Sequence, residues 1–128
     1  MVASPISNAG LIEIAKKFLD FKYIALDSSA TAYATSQTGP LNEITSNGGQ
    51  RSMGSATHNA STGVVTITKQ FVFTGQAIVK AICPMTSGTV GHGVMLTRYL
   101  PAAGQLPDSF NDGGSLLVTL TCSVARPA

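Results

Sequence analysis

Charge is what this chain has least of. Only 11% of its 128 residues are charged and 44% are apolar, whereas globular domains usually carry about a quarter charged residues. Disordered chains are charge-rich and poor in aliphatics, so this composition excludes disorder and predicts one folded domain over residues 1–128. A free-standing monomer draws its solubility from surface charge, and the shortage here points to a surface that faces other protein. Net charge is +2, and the eight Lys and Arg residues form no run. Lys16, Lys17 and Lys22 lie close together near the N-terminus, but without the dense patch and interleaved aromatics of a nucleic-acid binder. They read as a solvated helix face, and no nucleic-acid partner is expected.

Long apolar runs are missing too. No stretch approaches the roughly 20 residues that span a bilayer, and residues 1–8 lack the basic start and apolar run of a secretion signal. The expectation is a protein kept off membranes and assembled in a cytoplasm, where Cys83 and Cys122 remain thiols. Each lies in a β-like segment and reads as buried. Without a Cys-x-x-Cys spacing they make a poor zinc site.

Chemical motifs are equally scarce. HExxH, GxSxG, P-loop and dinucleotide fingerprints are absent from the sequence. Gly91-His92-Gly93 offers an imidazole, but equally a histidine in a tight glycine turn. Asp108, Asn111 and Asp112 offer oxygens for calcium, but at no EF-hand spacing, and Asn-Asp-Gly-Gly is first a turn signal. Cys83 with His92 has the residue types of a thiol nucleophile and its base, but Cys83 stands in an apolar strand segment. The expectation is no enzyme, no cofactor and no metal.

What is present is β pattern. Ser7 or Asn8 can cap a helix over residues 8–19, whose Leu11, Ile14, Ala15, Phe18 and Leu19 form one apolar stripe. Residues 21–26 read as a strand buried on both faces. A Ser/Thr/Ala/Gly-rich loop over 28–49 follows, with Leu41 and Ile44 able to pin it. Further strands are predicted over 50–57, 63–74, 76–83, 94–100 and 115–125. The 63–74 strand points Val65, Ile67, Phe71 and Phe73 one way. The 76–83 strand does the same with Ala77, Val79, Ala81 and Cys83, and Pro84 is expected to end it. The last strand lines Leu116, Val118, Leu120, Cys122 and Val124 along its inner face. Residues 101–114 read as a loop. One helix and about six strands predict a mostly β fold, an antiparallel β-sandwich or jelly roll with one short N-terminal helix.

The order of features carries a resemblance. A helix opened by Ser7-Asn8-Ala9-Gly10-Leu11 precedes Phe21-Lys22-Tyr23-Ile24-Ala25-Leu26. Then come Pro40-Leu41-Asn42-Glu43-Ile44, Arg51, the 64–73 strand, Met95-Leu96-Thr97-Arg98 and Gly113-Gly114-Ser115-Leu116-Leu117-Val118. This resembles small structural virion proteins of tailed bacteriophages over about residues 7–124. It departs at Asp27-Ser28-Ser29 and Gly113-Gly114-Ser115, where the family pattern has glycines and Gly-Asp-Ser. The resemblance implies a capsid decoration (cement) protein, or a tail-fibre or tail/baseplate adaptor protein. Its partners would be the major capsid protein or other virion proteins, with a homo-oligomer such as a trimer and with residues 1–7 and 126–128 as arms. A small enzyme or ligand-binding β domain is the remaining alternative. Candidate interface residues are Arg51, Arg98, Leu41, Ile44, Leu106 and Phe110. For the two arginines, a cross-subunit contact to carboxylates stands beside an exposed strand arginine covering apolar surface with its stem.

Overall fold

The structure, a computed structural model, describes residues 7–124; of the arms expected at 1–7 and 126–128, all but Ser7 lie outside them. Helix α1 (Asn8–Ala15) runs into a 3₁₀ segment (Lys16–Phe21). Six strands follow: β1 (Tyr23–Asp27), β2 (Ser52–Met53), β3 (Ser55–His58), β4 (Val65–Val72), β5 (Ala81–Met85) and β6 (Ser115–Cys122). The protein is mostly β, with two antiparallel three-stranded sheets ordered β2-β1-β5 and β3-β4-β6.

Ser7 caps α1, its hydroxyl accepting the Gly10 N–H at 3.0 Å. The predicted helix keeps its extent but not its type, since 3₁₀ winding begins at Lys16. That winding stacks residues three apart, which lines Phe18 and Phe21 up with buried Ala15. Ile14, expected in the apolar stripe, is half exposed instead.

β4 and β6 form the longest ladder, from Val65↔Cys122 to Val72↔Ser115. Their alternation shows in the burial: Val65, Ile67, Phe71, Phe73 and Val118 are buried. Gly113, at φ 86°, begins the β6 end of this ladder. Its N–H donates to the Phe73 carbonyl, and the Phe73 N–H donates to Gly114, both at 2.8 Å. This is a bulge that needs glycine in the left-handed region.

Three expected strands differ. Residues 50–57 are not one strand, because at Gly54 the chain leaves the β1 sheet and enters the β4 sheet. A Cβ at Gly54 would stand 2.9 Å from the Thr68 carbonyl oxygen, so only glycine fits the crossing. Pro84 does not end its strand, which runs through it to Met85. Its carbonyl accepts the Leu96 N–H at 2.9 Å, so its nitrogen faces that irregular neighbour and not β1, and no β1 ladder bond is lost. Residues 94–100 contribute only isolated bridges, Met85↔Met95 and Ile82↔Tyr99.

Both sheets feed one core cluster. Ile24, Leu26 and Ile82 meet Val65, Ile67, Phe71, Phe73 and Val118 there, with Val79 and Phe110. Phe73 and Phe110 stack with centroids 4.6 Å apart.

Candidate interaction surface

Arg98 stands beside Tyr99, whose backbone bridges Ile82, and the two side chains alternate: Tyr99 is exposed and Arg98 is 2% exposed. Its guanidinium pairs with the Asp27 carboxylate at the end of β1, and its other N–H groups donate to the carbonyls of Thr31 (2.7 Å) and Ser29. Asp27 also accepts the backbone N–H groups of Ser29 (2.9 Å), Leu41 (2.7 Å) and Asn42 (3.0 Å). Burial pushes this carboxyl up, but the Ser29 N–H, Arg98 and the Leu41 and Asn42 N–H groups more than offset it and hold it below the usual carboxylate range. One buried pair thus ties both ends of the 28–42 loop to the core.

Arg51 performs the same task for the loop over residues 86–93. It grips Glu43 through two bonds, Nε to Oε2 at 2.9 Å and Nη2 to Oε1 at 2.6 Å. Its Nη1 then donates to three carbonyls, those of Ser87 and Thr89 at 3.0 Å and His92 at 2.9 Å. Such a fork suits the planar, five-donor guanidinium and no other side chain.

Both expected roles for these arginines are therefore corrected. Neither is an exposed strand arginine, and neither offers a free guanidinium to a neighbour's carboxylate, because both are enclosed and paired within the chain. Sequence offered no sign of this for Arg98, whose acid lies 71 positions away. Other candidates move inward as well. Phe110 is in the core, and Ile44 and Leu106 are half-buried against it. Leu41 alone of the six is exposed, at 49%.

The arginines still shape a surface. A cleft of about 530 Å³ lies between the two tethered loops, with Leu41 on one wall, Val90 on the other and the Glu43–Arg51 pair between. Val90 is half exposed, and Val94 just beyond the loop is 62% exposed. Val90 stands in a glycine-rich turn-like segment, residues 86–93, and Val94 opens the strand expected over 94–100, so neither was singled out from sequence. Met53, Val72 and Leu117 are further large apolar side chains on the surface.

The reactive groups are dispersed. His92 lends its carbonyl to Arg51 and lines the cleft. Cys83 is buried and free, and burial pushes its thiol up to about 11. Cys122, expected buried, is half-buried, and burial raises its thiol too. Among the described residues no three His, Cys, Asp or Glu side chains gather around a common point, and no helix there is long and apolar enough to cross a membrane. The chain matches no family model, no curated protein and no solved structure.

Proposed function

We propose that this chain is a structural protein of a tailed-phage particle, held on the outside of the capsid as a decoration protein by protein–protein contact. The carrying observation is the pair of loops, 28–42 and 86–93, each tied by an internal arginine fork, that present Leu41 and Val90 to solvent beside exposed Val94 on a charge-poor body. Apolar side chains displayed by rigid loops gain about 25 cal/mol per Å² of apolar area removed from water when a partner covers them. Rigidity lowers the ordering cost of that contact. A reactive site would instead need ionisable groups converging on one cleft. The resemblance in feature order to small virion proteins points the same way.

The fold that suits this role is a β-sandwich of jelly-roll type. Its support is the larger core cluster, to which both three-stranded sheets contribute. A small homo-oligomer on the shell would multiply the loop contacts by symmetry. The test is cryo-electron microscopy of particles lacking the gene. Loss of regular density from the capsid surface, with lower heat resistance, is the expected result. Missing tail density beside an intact shell would assign the chain to the tail, and unchanged particles would end the virion reading.

A further inference from the structure

We propose that β6 docks a second copy of this chain: two β6 strands pair antiparallel about a two-fold axis and join their β3-β4-β6 sheets into one. The proposal rests on the β6 edge and assumes nothing about the particle the chain serves.

Hydrogen-bond parity fixes which β6 groups are spare. The Phe73 N–H donates to the Gly114 carbonyl at 2.8 Å, and the register continues through Phe71↔Leu116 to Val65↔Cys122. Antiparallel ladders alternate, so Leu116, Val118, Leu120 and Cys122 turn their backbone groups to β4. Ser115, Leu117, Thr119 and Thr121 turn theirs outward. Among the described residues no strand or loop bonds to those outward groups.

Proteins blunt such edges with charge, proline or shortness. The other edge of this sheet, β3, is four residues long. β6 is eight residues long, and neither a charged residue nor a proline occurs between Asp112 and Arg126. Beneath the edge lies a groove of about 250 Å³ whose lining includes Ile82, Tyr99, Leu106, Leu116 and Leu120. A strand added to the edge lays alternate side chains over this groove. The occupant must therefore carry aliphatic side chains at every second position with uncharged groups between them. β2 has two residues and β3 reads Ser-Ala-Thr-His. β6 itself, with Leu116, Val118 and Leu120, meets the requirement.

Two β6 strands centred on Val118 set Leu117 opposite the partner's Thr119, and Ser115 opposite the partner's Thr121. Every outward N–H and C=O then finds a mate, and Leu116 packs against the partner's Leu120. The contact is isologous and uses up both edges, so pairing stops at two copies.

Sedimentation equilibrium of the full chain, with hydrogen exchange read residue by residue, tests this. The expected result is a mass of two chains and slow exchange at the Leu117 and Thr119 amides. Thr119→Pro removes an N–H that β4 does not use, so the fold is kept while the mass falls to one chain and Leu117 exchanges fast. Leu117→Lys places a charge on the edge and has the same expected effect, and it decides the matter if the proline variant does not fold. A wild-type monomer with fast exchange at both amides would overturn the proposal, as would an oligomer whose mass neither substitution changes. A monomer whose two amides slow only when other virion proteins are added would assign the edge to a different chain and equally overturn it.

Discussion

Replacing Arg98 with methionine keeps most of the apolar stem and deletes the guanidinium. The Asp27 carboxylate is then left in a site where neither partner's side chain is exposed to solvent. Breaking a buried pair from one side costs roughly 3–5 kcal/mol, because the remaining charge stays desolvated. Asp27 would still hold three backbone N–H donors, from Ser29, Leu41 and Asn42, which places the loss at the lower end, about 3 kcal/mol. The carbonyls of half-buried Ser29 and exposed Thr31 also lose their donor, and water reaching the loop edge replaces part of it. Urea unfolding followed by circular dichroism reads the change as a fall in midpoint at constant slope. For a chain of this size it corresponds to a drop in Tm of about 10 °C. A double-mutant cycle with Asp27→Ala isolates the pair, since Arg98→Met should cost far less once the carboxylate is gone. A loss below about 1 kcal/mol for Arg98→Met alone would refute the reasoning, because that is the worth of an exposed ion pair.

Arg51→Met should leave global stability less affected than Arg98→Met, since Glu43 borders the open cleft and can rehydrate. Fast amide exchange confined to residues 86–93 is the expected signature, and unchanged protection there would contradict the tether. Stability should fall as acid is added: the Asp27 carboxyl lies below its ordinary value in the folded chain, so the unfolded chain takes up the proton first. Its contribution is complete above the ordinary carboxylate range near pH 4 and is lost as pH falls through the folded value. Urea midpoints measured from pH 7 to pH 2 check the sign, and a midpoint that rises on acidification would contradict it. Cys83 should resist a thiol reagent at pH 8 in the folded protein, because the thiolate is the nucleophile and its thiol is held up at about 11. Complete labelling of both cysteines before unfolding would contradict its burial.

The legible parts of the fold are those with one wet face. β4 and β6 bury one side of each strand, so alternation in the sequence marks their course to within a few residues. β5 is buried along its whole length, which erases the alternation, and its proline is harmless only because of which neighbour its nitrogen faces. That is a fact of pairing, which local sequence does not hold. Gly54 reads as a flaw inside a strand, whereas its role depends on the Thr68 carbonyl oxygen, fourteen positions on, that leaves no room for a Cβ. The candidate interface was legible in the 28–49 loop and in Leu41, and not in the other residues named. Loop length singled out 28–49, but Phe110 and Ile44 turn to the core, and the two arginines act on the surface only by holding loops that other side chains occupy.

The crossing at Gly54 has a mechanical meaning. On one side of the molecule a single residue carries the chain from sheet to sheet, between β2 and β3. On the opposite side the passage from β5 to β6 runs through residues 86–114, and the groove beneath β6 stays open. In the sandwich proposed above, the two sheets would be bound like the covers of a book, with the spine at Gly54 and the fore-edge at β6. Any breathing between them turns about the spine and gapes at the fore-edge. Relaxation dispersion on the Leu117→Lys variant, whose β6 edge is left unpaired, should therefore find its largest exchange contributions along β6 and residues 99–106, and little at β2 and β3.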